Sequence, residues 1–238
     1  MHSVRFPNES AAYRLARNEL LEAERDLRRR TEQVAAMRRA LPLGGEIPED
    51  YAFEEAIVGS DGAEQTRTIR MSQLFSPDKP TLAIYSFMYG PSMERPCPSC
   101  TSILDSLDGA HGHASQVLNL AVVAKSPIAR IRAFAHERGW RRLRLLSSAN
   151  NTYNRDYHAE GDKGDQWPVL TVFSRHDGRV HHTTSTELLY APSDPGQDPR
   201  HVDMIWPLWN LLDQTPDGRG TDFDPKLEYE PATLIHLP

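Results

Sequence analysis

Cysteine is scarce in this chain: Cys97 and Cys100 are the only two among 238 residues. A small secreted scaffold stapled by several bridges is thereby excluded. Lysine is nearly absent, occurring at Lys79, Lys125, Lys163 and Lys226, and arginine carries the positive charge, a bias read as base composition. The formal net charge of −6 leaves no basic stripe for nucleic acid. Long hydrophobic runs are missing as well, so no membrane-spanning helix is expected. The stretch Met1 to Ser10 has no apolar core of the signal-peptide kind, and a cytoplasmic location is the default expectation. In that reducing compartment a lone close cysteine pair is more often catalytic than structural.

What is present is organised around Thr81 to Leu107. Thr81-Leu82-Ala83-Ile84-Tyr85-Ser86-Phe87 is a continuous apolar run with β-branched and aromatic members. That composition predicts a strand buried on both faces. Gly90 and Pro91 end it. Cys97-Pro98-Ser99-Cys100 follows, and Ile103, Leu104 and Leu107 then give a helical apolar face. Pro98 suits the first helical position, where its missing N–H costs nothing. Cys97 would then stand at a helix N-terminus, where free N–H groups and the helix dipole favour a thiolate. Arg95 could add to the same effect. Two intervening residues let Cys100 reach back and close a disulfide, so Cys97 would attack and Cys100 would resolve.

Along the rest of the chain, Asn8 or Ser10 is placed to cap a long helix from near Glu9 to Leu41. Tyr13, Ala16, Leu20, Ala23, Leu27, Val34, Met37 and Leu41 make one seam on it, broken by Arg30. Glu24–Arg28 and Asp26–Arg30 have favourable four-residue spacing. The seam suits either packing on the same chain or a homodimer. Pro42 to Pro48 reads as a linker, dividing an N-terminal segment, 1–48, from a main domain, 49–238.

Tyr51 to Val58 and Thr66 to Met71 read as a hairpin turned at Ser60-Asp61-Gly62. The dithiol helix is expected to break at Gly109 to His113. Val117 to Ala124 is a second buried strand, Ser126-Pro127 caps a helix ending at Gly139, and Leu143 to Leu146 is a third strand. This alternation implies parallel pairing with helical crossovers. Asn150 to Gly164 is a polar loop. Pro168 directly precedes the buried run Val169 to Phe173 and is a candidate cis proline. Asp177-Gly178 turns a hairpin back through Arg179 to Thr186. His201 to Leu212 reads as a final helix, with Pro207 imposing a kink or a late start.

The order from Thr81 onward resembles the thioredoxin fold: a central mixed sheet flanked by helices, here with a long N-terminal helix. The whole chain is similar to one bacterial family of unknown function whose members are predicted dithiol–disulfide oxidoreductases. The matching pieces are Arg39-Ala40-Leu41-Pro42, the run Phe87 to Pro91, the Cys97–Cys100 motif, Ser147-Ser148 with Asn154 and Asp156, and Leu212 to Arg219. The chain departs from that family in a longer, Pro-rich Thr183 to Asp198. The resemblance implies catalytic roles for Cys97, Cys100 and Pro168. It puts Trp167, Arg95 and Tyr89 toward a protein or small-molecule disulfide substrate. No cofactor is implied.

Other readings of the same residues stay open. The two cysteines could be inert core residues. They could be half of a zinc or copper site, with His111 and His113 as the nearest further ligands, although that spacing is not a finger pattern. A non-catalytic scaffold is a third option. A peroxidase is less suited, because no Thr lies three residues before either cysteine.

Overall fold

The computed structural model describes residues 4–58 and 64–230. The chain divides into two compact units, Met1–Gly44 and Gly45–Pro238. The first contains one long helix, α1 (Ala11–Arg39). The hydroxyl of Ser10 caps it by accepting the Tyr13 N–H at 3.1 Å. Asn8 instead takes a left-handed turn, at φ 57°. Arg38 and Arg39 occupy the last turn, where the dipole favours cations. The surface ion pairs are Glu22–Arg25 and Asp26–Arg29, three residues apart, not the four-residue pairs the spacing suggests. Both spacings bring side chains together on a helix, so sequence alone does not choose between them.

The second unit is built on one sheet of seven strands, in the order β2-β1-β5-β4-β3-β6-β7. They are β1 (Ala52–Val58), β2 (Glu64–Arg70), β3 (Thr81–Ser86), β4 (Asn119–Ala124), β5 (Leu145–Ser147), β6 (Leu170–His176) and β7 (Arg179–Ser185). The expected turn at Ser60-Asp61-Gly62 lies outside the described residues. Strands β3, β4 and β5 run parallel. They are joined by helices α2 (Pro98–Ala114) and α3 (Ile128–Arg138). Strand β6 returns antiparallel on β3 and turns into β7. Asp177 and Gly178, at φ 49° and 79°, make the turn between them. Two left-handed residues in succession match the right-handed twist of a tight hairpin. A parallel pair with a crossover helix, an antiparallel hairpin beside it and a closing helix is a thioredoxin-like fold.

Alternation along β3 divides the core. Leu82 and Ile84 point to one face, with Tyr51, Phe53, Tyr153 and Phe173. Tyr85 and Phe87 point to the other, with Cys100, Ile103, Leu104, Phe134 and Trp140. Both faces are covered, which is why the strand carries no polar alternation.

Several boundaries differ from those the sequence suggests. Helix α2 does not break at Gly109 but runs through Gly112 to Ala114. An isolated helical glycine costs only about 1 kcal/mol against alanine. Here Asp108 anchors the helix: its buried carboxylate accepts the N–H groups of Arg141, Arg142 and Leu143 at 3.0, 2.7 and 3.1 Å. Pro127, not Ser126, stands at the N-cap of α3. The Ser126 hydroxyl donates instead to the carbonyl of Gly90 at 3.1 Å. The polar loop contains a short helix, α4 (Tyr153–Asp156). The final helix starts late: α5 (Pro207–Leu212) has Pro207 in its first turn, after a 3₁₀ turn at Asp203–Ile205.

Candidate active site

Strand β3 ends at Ser86 and the chain loops to Cys97, the N-cap of α2, held extended at φ −60° and ψ 125°. Two backbone contacts fix it. The Cys97 N–H donates to the carbonyl of Met88 at 3.0 Å, and the Cys97 carbonyl accepts the Thr101 N–H at 3.0 Å. The sulfur itself accepts the Cys100 N–H at 3.4 Å. Pro98 occupies the first turn without wasting a donor.

The two thiols are free and differ sharply. Cys97 is half-buried, and its pKa is lowered to about 6. The Cys100 thiol, donating to the Cys97 sulfur, is the main cause; the N–H groups of Cys100 and Ser99 and the Ser99 hydroxyl add to it, against an opposing push from burial. Cys100 is 2% exposed. Burial pushes its pKa well above the ordinary thiol value, and the negative charge favoured on Cys97 pushes the same way. One sulfur is thus a thiolate near neutral pH while its neighbour keeps its proton.

Arg95 is committed elsewhere. Its guanidinium pairs with Glu137 at 2.5 Å and Glu228 at 3.4 Å and stacks 5.5 Å from the centre of the Phe134 ring. Tyr89 is buried, packed on Phe87 and Phe134 with the Arg130 guanidinium 4.7 Å above its ring. It faces the core.

Pro168 is reached through the sheet register. Tyr85 pairs with Leu170, and the Ser86 N–H donates to the carbonyl of Val169 at 2.8 Å. Pro168, next to Val169, therefore lies beside the stretch leaving β3; Met88, whose carbonyl anchors Cys97, follows Ser86 by two residues. The peptide bond before Pro168 is trans, since no cis bond occurs among the described residues. For a bond before proline the trans preference is only about 0.5–1 kcal/mol, so its place before a strand does not decide the isomer. Trp167 is 41% exposed, an unusual fraction for a tryptophan. Its backbone N–H donates to the carbonyl of Ala159 at 2.9 Å.

His111 and His113 sit in the last turn of α2. Eleven residues of helix separate Cys100 from His111, about 16 Å along the axis at 1.5 Å per residue. Among the described residues no three His, Cys, Asp or Glu side chains gather as a metal site.

Other residues around the site carry no motif of their own. Tyr85 is fully buried on the face of β3 that α2 covers, and its hydroxyl lies against Cys100. Only its place as the one aromatic residue of β3 marks it in the sequence. Behind the dithiol loop, Ser148 donates to Asn154 at 2.6 Å, and Asn154 donates to Gln166 at 3.3 Å. Ser147 donates to the carbonyl of Ser126 at 2.7 Å. Tyr51 donates to Asp156 at 2.9 Å, so Asp156 orders its loop. The Leu212 to Arg219 run forms a clasp. Arg219 donates to Asp213 at 2.9 Å and to Asp203 at 2.5 Å, with its guanidinium 5.5 Å from the Trp209 ring. Nearby, the Trp206 indole donates to Ser102 of the dithiol helix at 3.1 Å.

The sequence profile of a family described as "Bacterial protein of unknown function (DUF899)" matches residues 3–232. No curated protein matches the sequence. Among solved structures, a reduced 2-Cys peroxiredoxin of Plasmodium vivax is similar at 16% identity and a TM-score of 0.44, covering 72% of this chain and 96% of that one. Peroxidoxin BcpB of Mycobacterium tuberculosis is similar at 16% identity and a TM-score of 0.41, covering 72% and 98%. Reduced Prx3 of Vibrio vulnificus, in complex with hydrogen peroxide, is similar at 12% identity and a TM-score of 0.44, covering 66% and 88%.

Proposed function

This chain belongs to that bacterial family of unknown function, and we propose that it is a thiol–disulfide oxidoreductase working through Cys97 and Cys100. The observation that carries the reading is the asymmetry of the pair: a thiolate at the N-terminus of α2, one turn from a buried thiol. Cys97 attacks a disulfide of the partner, whose S–S bond breaks as the Cys97–partner bond forms, and one partner sulfur leaves as a thiolate. Cys100 then attacks the Cys97 sulfur. The internal disulfide forms, the mixed disulfide breaks, and the second partner sulfur leaves as a thiolate, the Cys100 proton having gone to water. An external thiol reductant returns the pair to the dithiol.

The substrate is a protein or small-molecule disulfide. Trp167 and Pro168 are the residues proposed to meet it, on the strength of the Trp167 exposure and the β3–β6 register. Arg95 and Tyr89, both in the dithiol loop, tie it to Glu137, Phe134 and Arg130. The proposal keeps the chemistry in residues 49–238 and the chain in the cytoplasm, and it needs no bound cofactor. No helix among the described residues is long and apolar enough to cross a membrane.

The segment 1–48 is proposed to serve self-association. Tyr13, Leu20, Leu27 and Met37 on the α1 seam are all exposed, and most helix stability comes from packing an apolar face. Leu27→Arg should turn a dimer into a monomer by light scattering; an unchanged mass would remove this role.

The catalytic reading is tested by trapping. Cys100→Ser should accumulate partners as mixed disulfides on Cys97, visible as adducts released by reductant, and Cys97→Ser should not. Equal trapping by both variants, or by neither, would defeat it.

A further inference from the structure

The resolving step sets a physical problem that the dithiol does not solve alone. Once Cys97 is tied up in a mixed disulfide it no longer draws the Cys100 proton. Cys100 must still become a thiolate, and its sulfur is buried where charge is costly. We propose that the Tyr85 hydroxyl and the Met88 N–H form a donor pair that holds the Cys100 sulfur as a thiolate while it resolves the mixed disulfide. The inference rests on the oxidoreductase reading and adds a further catalytic residue to it.

Three observations support the assignment. Tyr85 lies on β3 facing α2, fully buried in the same core cluster as Cys100. Its hydroxyl has no hydrogen-bond partner among the described residues. A buried polar atom left in that state is costly and calls for an explanation. Cys100 is the neighbour it would serve: the phenol and the Met88 N–H both favour the charged form of that sulfur, against burial and the Cys97 charge. Met88 is also the residue whose carbonyl fixes the Cys97 N–H. One residue thus holds the backbone of the attacking cysteine and faces the sulfur of the resolving one.

The chemistry balances without a base at Tyr85. Its own pKa is raised well above the ordinary phenol value by burial and the neighbouring thiols, so it stays protonated. The Cys100 proton goes to water as the thiolate forms, and the departing partner sulfur leaves as a thiolate. The Cys100–Cys97 bond forms, the Cys97–partner bond breaks, and the phenol keeps its proton while donating to the negative sulfur. A hydrogen bond to the charged sulfur stabilises it against the neutral thiol, so more of Cys100 is thiolate at a given pH and this step alone is faster.

The test uses the reduced full-length protein and the chromogenic disulfide dithiobis-nitrobenzoate as partner. Attack by Cys97 releases one coloured thiolate, and resolution by Cys100 releases a second, so the two steps separate in one trace. Tyr85→Phe keeps the ring and removes only the unsatisfied hydroxyl, so the melting temperature should hold or rise. The first phase should keep its rate. The second should slow about tenfold to a hundredfold, the usual worth of a hydrogen bond to a charged group, and its pH midpoint should move up. Site-specific 3-fluorotyrosine at position 85, a stronger donor, should move that midpoint down. A Tyr85→Phe second phase with unchanged rate and midpoint would reduce Tyr85 to packing, with the oxidoreductase reading intact. A wild-type trace lacking the second phase would overturn both.

Discussion

Gln166 fills the space above Gly90: a β-carbon on Gly90 would stand 3.0 Å from the Gln166 Cγ and 3.4 Å from its Cδ. Gly90 lies in the loop between β3 and Cys97, and its carbonyl accepts from Ser126 at 3.1 Å. Gln166 is itself held by Asn154 and the carbonyl of Gly164, at 3.3 and 3.0 Å. A β-carbon at Gly90 would therefore press on the Gln166 side chain where it meets the dithiol loop.

Gly90→Ala should consequently destabilise the protein by about 1–3 kcal/mol, as overpacking does. The same change in a Gln166→Ala background should cost much less, giving a coupling of about 1 kcal/mol or more. Denaturant titration of the four proteins checks this. Additive effects would mean that the two residues do not share the strain.

Arg219 gathers the acidic groups beside α5. Asp203 and Asp213 both accept from it, and Arg200 shares Asp213 at 2.8 Å. The Asp213 carboxyl is held well below the usual carboxylate range, chiefly by the hydrogen bonds from Arg219 and Arg200. Removing the guanidinium leaves two carboxylates facing each other. Arg219→Ala should cost about 1–3 kcal/mol by denaturant midpoint and loosen the packing of Trp206 on Ser102, seen as a red shift in tryptophan emission. An unchanged midpoint and spectrum would mean the clasp is ornamental.

Reduced-state stability should depend on pH through Cys97. Its folded value of about 6 lies below the ordinary thiol value of 9.0. Between the two, the unfolded chain binds the extra proton, so stability from this group rises with pH. That contribution is full above the ordinary value and is lost as pH falls through about 6. Cys100 is shifted the other way, so its contribution is full below the ordinary value and fades only above it. Of the two thiols, only Cys97 acts over the interval from about 6 to just below 9. The melting temperature of reduced wild type minus that of Cys97→Ser should therefore grow across this interval, and a flat difference would contradict the depressed value.

Much of this arrangement is legible in the residues. The apolar run Thr81–Phe87, the Cys97–Pro98 helix start and the Asp177-Gly178 turn each follow local rules, and the structure obeys them. Most of the misses share one cause: each is decided by a partner distant in sequence. Helix α2 continues past Gly109 because Asp108 finds three N–H groups at Arg141 to Leu143. Ser126 leaves its capping role for Gly90. Arg95 is taken by Glu137 and Glu228, one of them 133 residues away. Tyr85 becomes legible only when the strand alternation is read together with the helix that covers it. The trans bond at Pro168 turns on an energy difference too small for any local pattern to fix.

The most direct test of the central claim is the pH dependence of iodoacetamide labelling of the reduced protein, with each site read by mass spectrometry. Only a thiolate reacts. Cys97 should be modified first, with a rate that rises through a midpoint of about 6 and then levels, while Cys100 stays unmodified until the fold opens. In Cys100→Ala the Cys97 midpoint should climb toward the ordinary thiol value, because the main donor to its sulfur is gone. Preferential labelling of Cys100, or slow and equal labelling of both with a midpoint near 9.0, would contradict the assignment of Cys97 as the attacking sulfur.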